Sequence, residues 1–224
     1  MSARETILAR VRKSRERPDD DAARKAVAAR LAGHERHLMP ARIAIDHDAL
    51  VALFAEKAGA VDATIETIDD EAGVPDAVAR YLRGRNLPAE AAIAAHPDLD
   101  ALDWSASTMT VHARAPEATD RIGINRPFCA VAETGTMVFA SGPQSPATMN
   151  FLPETHIAIL RQSEIVGGYE DAWDRLRAAG RGIGQALPRT VNMVTGTSRT
   201  GDIEQILQKG VHGPKFVHIV VVKD

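Results

Sequence analysis

The sequence predicts a mostly parallel, three-layer α/β/α sandwich preceded by helices, and three observations carry that expectation. From residue 122 onward, short β-branched runs alternate with helical patterns, as in a parallel sheet covered on both faces. The run Val217-His218-Ile219-Val220-Val221-Val222 contains a single polar residue, which suits a strand buried on both sides. The 224 residues are enough for one large α/β domain with a helical appendage.

The elements follow in order. Residues 2–38 are rich in Ala, Arg and Glu, with Ile7, Leu8, Val11, Val27, Leu31 and Leu38 at sparse helical spacing. They read as two helices broken at Pro18-Asp19-Asp20-Asp21, their charged faces solvated. So narrow an apolar stripe suits a surface or a partner chain. We therefore divide the chain into a helical extension, 1–38, and an α/β domain, 39–224. Residues 47–59 form a helix with Leu50, Val51, Leu53 and Phe54 on one side and Gly59 as its stop. A strand over 61–68, a proline-started helix over 75–83 and short strands at 91–94 and 109–112 come next. The later strands are 122–124, 129–132, 136–140, 155–160, 191–195 and 216–222, with helices at 169–179 and 201–209. Gly135, between two close strands, marks a hairpin or a change of direction.

Composition narrows the function. A net charge of −3 and 4% aromatic residues argue against nucleic-acid binding. No apolar run reaches the roughly 18 residues of a membrane span. The charged N-terminal stretch has no signal-like apolar segment. A cytoplasmic location is expected. Cys129 is the single cysteine, which excludes an internal disulfide, a cysteine-ligated iron–sulfur cluster and a Cys-type zinc site. It lies in an apolar run and reads as a small buried hydrophobe.

Four segments carry candidate chemistry. In Gly196-Thr197-Ser198-Arg199-Thr200-Gly201-Asp202-Ile203-Glu204, Ser198 or Thr200 is suited to cap a helix over 201–209. Asp202 and Glu204 then sit in its first turn and Lys209 in its last. Capping does not require Arg199, and beside a helix start a guanidinium makes a site for a carboxylate or phosphate. The glycines have the spacing of a phosphate loop, but Asp202 stands where the lysine belongs. A nucleophile elbow is excluded because its second glycine is missing.

In Ala132-Glu133-Thr134-Gly135-Thr136, a carboxylate and two hydroxyls lie between apolar strands. Glu133 is a general base or nucleophile, or is satisfied by turn N–H groups or by Arg199. His156 opens the strand 155–160 behind Pro153. His212, among Gly210, Gly213 and Pro214, is placed to act as a donor or proton relay. Thr134, Gly135, Thr136, His156, Ser198, Arg199, Thr200, Asp202 and Gly213 are the expected ligand-side residues, and Glu133 and His212 the expected catalytic ones. All are expected to meet in one pocket at one rim of the sheet. The histidine spacings match no compact ligand motif, so no metal is expected. His34-Glu35-Arg36-His37 is one residue short of a zinc-protease motif, and Gly180-Arg181-Gly182-Ile183-Gly184 follows a helix instead of a strand.

These segments, with Leu152-Pro153-Glu154-Thr155-His156 and Gly210-Val211-His212-Gly213-Pro214, resemble in order the motifs of the lactate-utilisation (LUD, DUF162) domain family over roughly residues 40–224. The resemblance implies a fold similar to glucosamine-phosphate isomerase, ribose-phosphate isomerase and CoA transferases. It also implies a role in oxidising L-lactate to pyruvate, with iron–sulfur partner subunits and no cofactor in this chain. CoA transferases use a glutamate near a glycine as nucleophile. Glu133 is similarly placed, although Thr134 stands where an asparagine is expected. In this reading Arg199 holds the carboxylate of lactate or pyruvate, His212 is a donor or relay, and Glu133 is a base or an orienting partner. Two alternatives stand beside it. One is a free-standing enzyme acting through Glu133 on a sugar phosphate, an acyl-CoA or a folate-like ligand. The other is a non-catalytic assembly module.

Overall fold

The computed structural model describes residues 2–15, 21–181, 188–202 and 206–224. Pro18, Asp19 and Asp20 of the expected helix break, Gly182-Ile183-Gly184, and Ile203 and Glu204 lie outside the described residues. The chain divides into two compact units, Met1–His37 and Leu38–Asp224.

The first unit holds helices α1 (Ala3–Arg15) and α2 (Asp21–Gly33). Ser2 and Glu5 cap α1 reciprocally. The Glu5 N–H donates to Ser2 Oγ at 3.3 Å, and the Ser2 N–H donates to Glu5 Oε2 at 2.7 Å. Ile7, Leu8, Val11, Val27 and Leu31 are all exposed.

The second unit is a mostly parallel α/β/α sandwich. In order it contains α3 (His47–Ala60), β1 (Ala63–Ile68), α4 (Val74–Gly84), β2 (Glu90–Ile93), α5 (Pro97–Asp100), β3 (Thr110–Ala113), β4 (Ile122–Asn125), β5 (Cys129–Val131) and β6 (Thr136–Ala140). It continues with β7 (Thr155–Arg161), β8 (Ile165–Val166), α6 (Tyr169–Leu176), β9 (Val191–Thr195), β10 (Arg199–Thr200), β11 (Gln208–Lys209) and β12 (Phe216–Val222). Asp46 caps α3 by accepting from the Ala49 N–H at 2.9 Å. Pro75 in the first turn of α4 gives up no hydrogen bond there.

Among the described residues the main sheet has six strands in the order β1-β12-β7-β4-β2-β3, every pair parallel. The last strand thus lies inside the sheet, which is why its valines are buried on both faces. One face packs Ile93, Ile124, Ile157, Ile159 and Val220 against Val78 and Leu82 of α4.

The other face meets a second sheet, where the structure refines the sequence expectation of one sheet. Strands β8-β5-β6-β9 form this separate four-stranded sheet, with β5 antiparallel to β6 and β6 antiparallel to β9. Ala158, Leu160, Ile219 and Val221 of the main sheet pack against Phe54 of α3 and Met137 and Phe139 of β6. Beyond this layer, Cys129, Val131 and Val138 pack on Ala172 and Leu176 of α6. β5 and β6 are buried on both sides. The hairpin signalled by Gly135 is present, with φ 67° at that glycine.

The expected helix over 201–209 is a correction. Residues 199–200 and 208–209 are short strands that pair antiparallel. The chain is folded back by the Gly210 N–H donating to the Ser198 carbonyl at 2.9 Å and the Ser198 N–H donating to the Pro214 carbonyl at 2.9 Å. The acid-first, lysine-last pattern is overridden by these longer-range bonds. Helix 169–179 ends at Leu176 and passes into a wider turn, Arg177–Arg181, with Gly180 at φ 73°.

Candidate functional site

Because the six strands are parallel, their amino ends share one rim and their carboxyl ends the opposite rim. The segments singled out by sequence gather toward the amino rim. Gly135 packs on the end of α3, where an added Cβ would lie 2.3 Å from the Ala58 nitrogen. Gly196, at φ 68°, abuts the Val61 carbonyl just before β1. Three threonines and a tyrosine join the hairpin to β9. Thr136 Oγ1 lies 2.7 Å from Thr134 Oγ1, 2.8 Å from Thr195 Oγ1 and 3.0 Å from the Tyr169 hydroxyl.

Glu133 stands beside this cluster. Its N–H donates to the Gly167 carbonyl at 3.1 Å, and its carboxylate pairs with Arg42, not with Arg199. The side chain is 12% exposed, against 62% for Arg42. The start of α6 next to it also favours a negative charge.

Arg199 faces Asp62 at 3.6 Å, and Lys209 on the paired strand reaches the same oxygen at 2.7 Å. The Lys209 hydrogen bond and charge, and then Arg199, hold the Asp62 carboxyl below its ordinary value. Ser198 Oγ accepts from the His212 N–H at 3.2 Å. Gly213 packs against Ser198 and Phe151. Thr200 Oγ1 accepts from the Asp202 N–H at 3.3 Å, and Asp202 and His212 are exposed. The segments around Glu133, Arg199 and His212 are therefore linked through a chain of contacts. Among the described residues no helix starts after Arg199, and its contacts tie β10 to the start of β1.

His156 is not among them. It is fully buried between the sheets, tilted against Phe139 at 5.3 Å. Its Nε2 lies 2.7 Å from Asn125 Oδ1, and Asn125 passes a hydrogen bond to Asn150 at 2.9 Å. Burial pushes its pKa down to about 4. It is a neutral core histidine with no opening to solvent. His218 is similar. It stacks on Tyr81 at 3.9 Å, meets Thr64 Oγ1 at 2.9 Å, and is pushed to about 4 chiefly by burial. Cys129 is buried, and its thiol is pushed up to about 12. Among the described residues no group of three or more His, Cys, Asp or Glu is arranged to hold a metal ion.

The carboxyl rim holds a polar centre that the sequence reading missed. Arg126 follows β4 directly, and its side chain is 4% exposed. It reaches Glu71 at 3.0 Å, Glu164 at 3.5 Å and Asp98 at 3.7 Å. Arg161, at the end of β7, reaches Glu71 at 2.7 Å and Asp98 at 2.9 Å. Burial pushes Glu71 up, but hydrogen bonds from both arginines outweigh it and leave the carboxyl below its ordinary value. At Glu164 burial prevails, and its pKa is raised.

A cavity of about 260 Å³ opens beside Arg126, lined also by His96, Phe128, Ala140, Pro143 and Ser145. His96 Nδ1 accepts from the Asp98 N–H at 3.2 Å, and burial lowers its pKa. The signal available in the sequence was a charged residue at the carboxyl end of a parallel strand, where open α/β sheets bind ligands. None of the expected site residues lines this cavity.

Comparison with known proteins gives a consistent grouping. The sequence model of the LUD domain matches residues 47–222. The chain is 35% identical over 133 residues to Lactate utilization protein C of Geobacillus sp. (strain WCH70), a match over 57% of this chain and 52% of that protein. It is 33% identical over 122 residues to Lactate utilization protein C of Bacillus subtilis (strain 168), over 54% and 50% respectively. The chain thus spans about half the length of the curated relatives it matches. A crystal structure of a DUF162 family protein from Deinococcus radiodurans superposes with a TM-score of 0.58 at 18% identity, over 80% of this chain and 99% of that one. That likeness concerns the fold. Among the described residues no helix is long and apolar enough to cross a membrane.

Proposed function

The chain belongs to the LUD domain family, and from that membership we propose that it works in lactate utilisation, binding a small organic acid. The observation that carries this reading is the repeated match, at 31–35% identity, to proteins named Lactate utilization protein C. In this reading the chain is the subunit without iron–sulfur clusters of a cytoplasmic complex that oxidises L-lactate to pyruvate. That oxidation releases two electrons and two protons, and iron–sulfur clusters in the partner subunits would take up the electrons. Glu133, oriented by Arg42, is the base or the orienting partner. Arg199 and His212 are candidates for holding the acid and moving a proton. The sandwich is then a relative of the glucosamine-phosphate isomerase, ribose-phosphate isomerase and CoA transferase fold. Its support is the parallel sheet with an adjoining antiparallel hairpin that carries Glu133.

Reconstitution tests the proposal. Dye reduction driven by L-lactate is expected only when this chain and the iron–sulfur subunits are mixed, and Glu133→Gln is expected to abolish it. Full turnover by the partners without this chain would refute the role. Turnover by this chain alone on another substrate would favour the free-standing enzyme.

A further inference from the structure

We propose that the cavity at the carboxyl rim is a second binding site for a small organic acid, separate from the amino-rim segments that carry Glu133, its carboxylate held by Arg126 and His96 and its short apolar body by Phe128 and Pro143. The inference rests on the preceding reading for the choice of acid, and on the cavity itself for the site.

The position is the first argument. The cavity lies where β2 and β4 end and the second sheet begins, outside the carboxyl ends of parallel strands.

The lining is the second. Its polar side chains are Arg126, His96, Gln144 and Ser145, and none is a carboxylate. The Asp98 N–H occupies His96 Nδ1, so the neutral ring carries its proton on Nε2 and has a donor left there. The Ser145 hydroxyl oxygen is buried without a hydrogen-bond partner. Buried polar atoms in native proteins nearly always find one, and a ligand acceptor would supply it. A guanidinium has five N–H donors, and the Arg126 bonds to Glu71 and Glu164 engage two of them.

Charge is the third. Glu71 and Asp98, the partners of Arg126, line a separate hollow and not this cavity. Arg126, Arg161 and Arg175, the last acting on Glu164, balance Glu71, Asp98 and Glu164. Asp100 also acts on His96, and Asp224 shares Arg161, so an arriving carboxylate is drawn by the donors that line the cavity and not by an excess of positive charge. The carboxylates also fix the Arg126 side chain in place, so little order is lost on binding.

Size is the fourth. About 260 Å³ is below the range of drug-sized clefts, ~300–1,000 Å³, and suits a metabolite of a few carbons.

Calorimetric titration of the full chain with sodium pyruvate and sodium L-lactate tests the site. Binding of at least one acid is expected. The double variant His96→Asn, Ser145→Ala should weaken it about tenfold or more, which is about 1.4 kcal/mol. Ser145→Ala alone should cause a smaller loss, with circular dichroism unchanged in both. Unchanged affinity in the folded double variant would overturn the proposal. So would loss of binding in Arg199→Ala while the double variant still binds, and that result would keep the acid at the amino-rim loops and leave the lactate role standing. Absence of heat with either acid at millimolar concentration would also overturn it, whereas the reconstitution assay judges the lactate role separately.

Discussion

At the amino rim the conspicuous side chains are exposed and tied to one another by short loops. Arg199 and Lys209 share Asp62, and Ser198 binds the backbone of the 210–214 loop. At the carboxyl rim Arg126 and Glu164 are more deeply buried than Arg199 or Lys209, the charged side chains are drawn from segments far apart in sequence, and Arg126 borders a cavity. The first arrangement stitches loops onto the sheet. The second holds a cation in a fixed geometry next to an open cavity. The difference teaches that a loop rich in glycine, hydroxyls and arginine can be a fastening, and that an ordinary-looking arginine after a strand can be the centre of a site.

Four measurements break or sharpen this contrast. The largest effect is on acidification. His156 and His218 titrate near 6.5 when unfolded and about 4 when folded. The unfolded state then binds more protons between these values, so stability falls as pH drops from 6.5 to 4 and levels off below. Each histidine contributes on the order of 3 kcal/mol to that loss. Urea unfolding at pH 7, 5 and 4 should show it, and a flat profile would mean that neither ring is buried neutral in the amino half of its strand.

Arg126→Ala comes next. It removes one cation from Glu164, which keeps Arg175, and one from Glu71, which keeps Arg161, and should cost about 3 kcal/mol, the low end for breaking a buried pair. Thermal unfolding should fall by roughly 10 °C for a chain of this size. A shift of a degree or two would show the carboxyl-rim lattice to be as loose as the amino rim.

Gly135→Ala and Gly196→Ala follow. Left-handed backbone alone costs a non-glycine residue about 1–2 kcal/mol. The new methyl would also meet backbone atoms of the α3–β1 turn at 2.3 and 2.1 Å. Chemical denaturation of either variant should show at least that loss.

Arg199→Ala should change stability least, within about 1 kcal/mol, since its partner Asp62 is exposed and keeps Lys209. A loss comparable with that of Arg126→Ala would erase the distinction between the rims.

Much of the fold is legible in the sequence because periodicity and turn residues are local. The valines of β12 announce a doubly buried strand, Pro75 starts α4 and Gly135 marks its hairpin, whereas α3 runs through Gly59 to Ala60 and is capped by Val61. The division into two sheets is not legible. Strands β5 and β6 are buried on both faces just as β12 is, so burial pattern cannot tell which sheet they join. The helix expected over 201–209 fails for a related reason. Its residue types suit a helix, but the pairing of Arg199 with Lys209 and the Gly210–Ser198 bond reach beyond helical spacing, and both cations converge on Asp62 from a distant segment. The amino-rim segments were recognisable because their residues are unusual. The carboxyl rim was not, because Arg126 gains its meaning from Glu71, Asp98 and Glu164, which only folding brings to it.

The claim that the acid binds at the carboxyl rim is tested most directly by following the backbone amides of the full chain by NMR as pyruvate is added. Saturating shifts at His96, Phe128, Gly142 and Ser145, independent of any change at residues 198–200 and 212–213, are the predicted result. Shifts confined to the 198–200 and 212–213 loops, with the carboxyl rim silent, would contradict it.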